Sequence, residues 1–354
     1  MKLLLQVVGC ALVFASVTGS VFEAENRLEA RTYLHIGVGT RAARSIGVRN
    51  AHGMVYDIGR NRVVLFGGAD ASKVCSDTWE SDGYKWKLVS VDGPGPRTFP
   101  AMTYDSIRRR VVLFGGNRVL FGRNPEDNKY LDDTWEWDGR KWTQIEVGGP
   151  PPRAEAVMAF DEHRGRAVLF GGHSRSDQGR KWWGDTWEWD GNKWTEINTP
   201  GPSPRNGATA AYDSVRKVIV LFGGSTQLGV SGETWEWNGR AWTQNPVAAT
   251  EGRFNSVMTF DRTRGSMFRF GGRFGGKAYG DTWEYDGKEW KQLSTIGPSA
   301  RNHSAMVYMA NRKRVFLFGG HDGENVFGDG WMWDGKKWRE TRKADYQKRV
   351  ENGH

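Results

Sequence analysis

Three groups of residues in this 354-residue chain have side chains suited to chemistry or to ligand recognition. His52, His303 and His321 offer imidazoles that could move protons or hold a metal. Their spacing matches no metal signature, however. No Ser/His/Asp order or carboxylate pair can be assigned either, so no catalytic set, metal or cofactor is expected. Arg253, Arg269 and Arg273, with Asn255, bring three guanidinium groups to one short stretch. That composition suits an anion pocket, or more simply a local salt bridge. Phe121, Tyr130, His173, Arg180, Trp182 and Trp183 mix aromatic rings with cations. Such mixtures suit a protein hot spot or a sugar-stacking platform. The alternative is that these segments pack over one another.

These residues stand out because the rest of the chain is a repeat. Its clearest copy runs from Arg153 to Trp194, and six copies fill most of the sequence. An arginine precedes the first glycine of each Phe-Gly-Gly by 18 residues, at Arg49, Arg97, Arg153, Arg205, Arg253 and Arg301. Two tryptophans 7 apart follow in every copy, from Trp79 and Trp86 to Trp331 and Trp338. The next arginine then comes 11 residues later. A repeat of this length is the first thing to establish, since it decides the fold.

Each copy reads as four short strands. The first alternates and ends near an Asp, as in Ala101–Asp105, and the second is apolar and stops at Gly-Gly, as in Val111–Gly116. The third carries the first tryptophan and the fourth starts at the second. Asp-Gly or Asn-Gly pairs separate the last two strands and are strong hairpin signals. Four antiparallel strands repeated six times predict blades set around an axis. The one–two and three–four turns then share one face, and the longer loops share the other. Function concentrates on loops carried by a rigid scaffold, so the long-loop face is the expected working surface.

The double glycine after four apolar residues, followed by two spaced aromatics, resembles the kelch repeat, as in the propeller domain of galactose oxidase. The resemblance covers Arg49 to Arg342 and implies an all-β, six-bladed propeller with four-stranded blades. It leaves function open, because kelch propellers serve as enzymes, glycan binders and protein-interaction platforms. The copper set of the oxidases finds no counterpart, with only Cys75 available outside the leader. The Glu-x3-Asp-x3-His string of the iron-using kelch proteins is missing as well.

Departures from the period are the informative positions. The two–three loop has 16 residues in blade two (Asn117–Asp132) and 12 in blade three (His173–Gly184), against 8 elsewhere. Arg269 replaces a leucine found in the other five copies, and a charge there must find a partner or a wet cavity. Glu155, Asn255 and His303 share one repeat position, with His52 one place further along in its own copy. Blade six has Met309, Gly330 and Met332 where the others have Asp, Thr and Glu, a pattern suited to ring closure. The repeated arginines are expected to be structural, paired with the glutamates of the Thr-Trp-Glu strands. A second column, including Arg60, Arg108 and Arg164, reads as solvated turns.

Residues 1–20 read as a secretory signal: Lys2, an apolar stretch, then Thr18-Gly19-Ser20. Residues 21–45 follow, with one strand expected at Arg31–Gly37, then the propeller at 46–342 and a tail at 343–354. A secreted or periplasmic monomer is expected. No later run of 18 apolar residues predicts a membrane span. The net charge of +9 favours anionic partners, although a modest excess of cations also serves solubility alone. No nucleic-acid motif accompanies it. The sequence thus predicts a non-enzymatic scaffold binding a protein or glycan, with a carbohydrate-active enzyme (mutarotase, oxidase or lyase type) at the channel mouth as the alternative.

Overall fold

The computed structural model describes residues 45–341, apart from 71, 120–128, 177–178 and 247–250. The chain divides into two units, Met1–Ser45 and Ile46–His354. The expected leader, the strand expected at Arg31–Gly37, Phe121 and the tail lie outside the described residues.

The second unit holds six four-stranded antiparallel sheets, each in sequence order. Blade two is typical, with strands Ala101–Asp105, Arg110–Asn117, Tyr130–Trp137 and Trp142–Ile145. The first strands of successive blades pack on one another round the ring, and blade one meets blade six. Every blade is built from its own stretch of chain, so blade six ends on its own strand Trp338–Glu340. Above the sheets, blade three adds the hairpin His173–Ser176 with Gly179–Trp182, and blades four and five add shorter ones.

The apolar second strands reflect stacking on both faces. Val63, Val64, Leu65 and Phe66 have no exposure at all. Instead of one central core there are six apolar clusters, each drawn from two neighbouring blades. Burial is therefore an inter-blade property, and a lone blade would leave both faces wet.

The repeated arginines are the polar counterpart. All six are at most 4% exposed. In blades one, two, three, four and six the guanidinium donates to the carbonyl of the first glycine of its own Gly-Gly, at 2.9–3.1 Å. It also pairs with the carboxylate two residues before the first tryptophan: Asp77, Asp133, Asp185, Glu233 or Asp329. That tryptophan donates its indole N–H to the same carboxylate, as Trp135 does to Asp133 at 2.7 Å. The partner is thus this carboxylate, and the expected pairing with the strand glutamates is corrected. The backbone carbonyl of each arginine accepts the N–H of the second glycine of the preceding blade, at 2.8–3.0 Å all round the ring. A Cβ on Gly67, Gly115 or Gly171 would sit 2.7 Å from that carbonyl, at positive φ, so only glycine fits.

The glutamates go to the second arginine column, which is no mere solvated turn. Arg60, Arg108, Arg164 and Arg216 each bridge the Asp ending the first strand and the Glu of the third. They also pack against the glycine of the Asp-Gly or Asn-Gly turn of the next blade.

A second latch joins the fourth strand of a blade to the third strand of the preceding one. The fourth-strand tryptophans Trp142, Trp194, Trp242, Trp290 and Trp338 donate to the threonine hydroxyls of the preceding blade, at 2.8–2.9 Å. Trp86 has Gly330 opposite and lies on Phe318 instead, with ring centroids 4.8 Å apart. We expect Trp194→Phe to cost about 1–3 kcal/mol, by orphaning the buried Thr134 hydroxyl. Trp86→Phe loses no such bond and should cost clearly less. Equal losses in urea denaturation would show that the latch carries no stability.

Candidate functional site

The residue two past each arginine sits at the mouth of the channel on the loop face. These are Ala51, Phe99, Glu155, Gly207, Asn255 and His303. All six adopt left-handed backbone, with φ of 54–55° at the five non-glycine positions. The conformation is disfavoured for side chains other than glycine and clusters at functional sites. Here it lets each N–H donate to the carbonyl of the equivalent residue one blade back, at 2.7–3.4 Å. The six bonds form a closed ring of backbone, from Ala51 through Phe99 and on to His303. Because backbone holds the ring, the side chains are free to differ.

Above this ring lies a cavity of about 590 Å³. The ring supplies Phe99, Glu155, Asn255 and His303 to its wall, and the next position outward supplies Asn206, Phe254 and Asn302. Arg180, Arg273 and His321 come from the loops above. A smaller chamber of about 130 Å³ lies on the other side of the ring, lined in part by His52 and Ser256.

Glu155 is the buried charge of the site. Its carboxylate accepts the Asn206 amide and lies 3.4 Å from His173 Nδ1. It faces His303 of blade six across the axis, with Oε1 3.8 Å from Nε2. Burial alone would raise the carboxyl, but the contact with His173 and the neighbouring imidazole and amide outweigh it and hold it at about 2. His303 bonds His321, Nδ1 to Nε2, at 2.7 Å, and meets the Phe99 ring edge-on. Burial lowers the His303 imidazole to about 3, against the pull of Glu155. Burial likewise lowers His321, and Arg273 adds to it. The mouth at neutral pH thus presents the carboxylates of Glu155 and Asp70, neutral imidazoles, amides, and the cations of Arg180 and Arg273. Among the described residues no cluster of His, Cys, Asp or Glu has the geometry to hold a metal.

The sequence candidates are distributed unevenly over this site. Arg180, Arg273 and His303 line the cavity. His173 stands behind Glu155, with Tyr130 edge-on to its ring at 5.4 Å. Trp182 is half-buried, donates to Asn206 Oδ1 at 3.1 Å and lies under Arg180. Trp183 is half-buried between Arg153 and Lys181. Trp183 thus packs on Arg153 of its own blade, while Trp182 and Tyr130 reach the next blade at Asn206 and His173, so these aromatics brace the wall and do not form an open platform. Arg253 and Arg269 do not reach the cavity. Arg253 is the structural arginine of blade five, bonded to Glu251 and Asp281. Arg269 is fully buried between blades four and five, against Phe222 and Trp290, and burial lowers it to about 9. The expected pocket of three arginines is corrected to Arg273 alone, beside Arg180. Asn206 and Asn302 escaped the sequence reading. Their signal was a variable position beside an invariant arginine.

The family model of the KLHDC2/KLHL20/DRC7 kelch-repeats domain matches residues 42–224. The dynein alpha chain of the flagellar outer arm from Chlamydomonas reinhardtii is 30% identical over 161 residues, covering 41% of this chain. The match spans only 3% of that protein's length. The solved structure of YjhT aligns with a TM-score of 0.66 at 13% identity, covering 84% of this chain and 98% of that one, a likeness of fold.

His52 gives the site a pH signature. Both its ring nitrogens are buried without a hydrogen-bond partner, and burial, then the charge of Arg49, lowers it to about 3. Folded His52 and His303 stay neutral, whereas the unfolded chain takes up protons near pH 6.5. Their contribution is complete above that pH and is lost as pH falls toward 3. Stability should fall from pH 6.5 to 5, before unfolded carboxylates titrate, by up to about 1.4 kcal/mol per pH unit for each histidine. His52→Phe should flatten the slope by about one proton in urea titrations. An unchanged slope would mean that His52 is protonated in the fold.

Proposed function

Because the chain belongs to the kelch-repeat family, whose fold suits protein binding, we propose that it is a non-enzymatic scaffold whose mouth takes an anionic segment of a partner protein. The carrying observation is the cavity of about 590 Å³ walled by amides, with Arg180 and Arg273 at its rim. The amides can bond a main chain or hydroxyls, and the guanidinium groups suit a carboxylate. A glycan bearing a carboxylate would meet the same groups. A role outside the cytoplasm is part of this proposal, on the reading of residues 1–20 as a secretory signal.

The cross-axis pair of Glu155 and His303 favours a second reading, a carbohydrate-active enzyme using the same mouth. Against it stands the strongly acidic character of Glu155, which makes a weak base at neutral pH.

Arrays of acidic peptides and of glycans, probed with wild type and with Arg180→Ala/Arg273→Ala, separate these readings. We expect acidic peptides to bind and the double variant to lose at least about tenfold. Undiminished binding by the variant would remove the mouth from recognition. Turnover of an array glycan, lost in Glu155→Gln, would establish the enzyme.

A further inference from the structure

The opposite face of the propeller carries twelve turns, two from each blade. Their carboxylates are occupied. Asp57, Asp105, Asp161 and Asp213 cap their turns and hold the second arginine column. Asp82, Asp138, Asp190, Asp286 and Asp334 accept the amides of the Asp-Gly turns. Within these turns the exposed acids are Asp286, Glu289 and the side chain of Asp82, which lies 3.8 Å from Arg312. Exposed cations stand in both rings, among them Arg109, Lys217 and Lys313 inside and Arg140, Lys193 and Lys337 outside. The loop face, by contrast, mixes exposed acids such as Asp132, Glu251 and Glu324 with its cations.

The inner turns hold a second, independent sign. Their fourth residue has positive φ in every blade: Asn61, Arg109, Gly165, Lys217, Gly265 and Lys313. Glycine satisfies that backbone in blades three and five. Blades two, four and six instead place a long cation there, at φ of 51–59°. A residue kept in a disfavoured conformation, where glycine demonstrably fits the same turn, points to a role for its side chain. Two residues before Arg109 and Lys217 stand Ile107 and Val215, 63% and 67% exposed, and Tyr84 on the outer ring is 52% exposed.

We propose that this turn face docks on an anionic lipid bilayer. Arg109, Lys217 and Lys313 would meet the headgroups, while Ile107 and Val215 enter the interface between headgroups and chains. Cations alone would serve a nucleic acid or an acidic glycan equally well. The protruding aliphatic side chains beside them gain nothing there, but gain burial in a bilayer. Such docking turns the loop face, with its cavity, away from the membrane.

The test is flotation of the full chain with vesicles of equal parts phosphatidylglycerol and phosphatidylcholine, beside pure phosphatidylcholine. Wild type should float with the anionic vesicles only, less so at high salt. The triple variant Arg109→Gly/Lys217→Gly/Lys313→Gly relieves the backbone, so it should melt no lower than wild type. It should nevertheless lose roughly a hundredfold in vesicle affinity. Ile107→Ser/Val215→Ser should weaken binding and leave its salt dependence. Lys129→Ser/Lys277→Ser, on the loop face, should bind as wild type does. The proposal is overturned if wild type ignores anionic vesicles, or binds duplex DNA or heparin in their place. It is equally overturned if the triple variant floats normally, or if the loop-face variant is the one that fails.

Discussion

The propeller depends on a buried guanidinium made complete by its own repeat. Removing an arginine from water is costly, and only full pairing repays it. In five of the blades the arginine meets a carboxylate and a glycine carbonyl together. The same carboxylate orients the tryptophan of the third strand, and the arginine's own carbonyl ties down the Gly-Gly of the preceding blade. One residue therefore fixes the start of the first strand, the end of the second and the start of the third. It also fixes the distance to the next blade. Lysine has no planar fork to reach both acceptors, which explains why the position tolerates no alternative within this chain.

That rigidity is what makes the mouth variable. With the arginine and the Gly-Gly fixed, the residues just after each are held by backbone bonds, including the ring from Ala51 to His303. Their side chains take no part in closing the propeller. Blades three and six exploit this with Glu155 and His303 across the axis, while blade four places Gly207 at the same position. A Cβ on Gly207 would collide with Asn255, so even the vacancy is shaped by its neighbour.

The architecture was legible because its determinants recur: the arginines, the double glycines and the tryptophan pairs all announce six equivalent blades. The site was legible only where it broke the period, as at Arg180, Arg273 and His303. Arg253 and Arg269 misled because nearness in sequence was taken for nearness at a site. Arg269 lies in the second strand, Ser266–Phe270, with its side chain between blades, whereas Arg273 lies past the Gly-Gly in the hairpin above. Glu155 and His303 are three blades apart, and only closure of the ring brings them together. The tryptophans of blade three misled for a different reason. Periodicity shows that a residue lies outside the packing columns, but not whether its loop folds back on the blade.

Among the described residues, the seam between blades six and one closes the ring without an exchanged strand. Elsewhere the seams carry the tryptophan–threonine bond, but Gly330 removes the hydroxyl and Trp86 rests on Phe316 and Phe318. Met309 and Met332 replace the acids that would hold the second-column arginine, and both join the apolar cluster shared with blade one. Arg312 therefore has no acid in its own blade and reaches across to the Asp82 carbonyl at 2.8 Å. Ser81 replaces the bulky aromatic of the other blades, and Gly83 leaves room for the methionine side chains beside it. The polar latch is thus exchanged for apolar contact at a single seam. The arginine–glycine latch persists there, with the Gly320 N–H on the Arg49 carbonyl at 2.8 Å, so the seam differs from the other five in its tryptophan–threonine bond and its second-column acids.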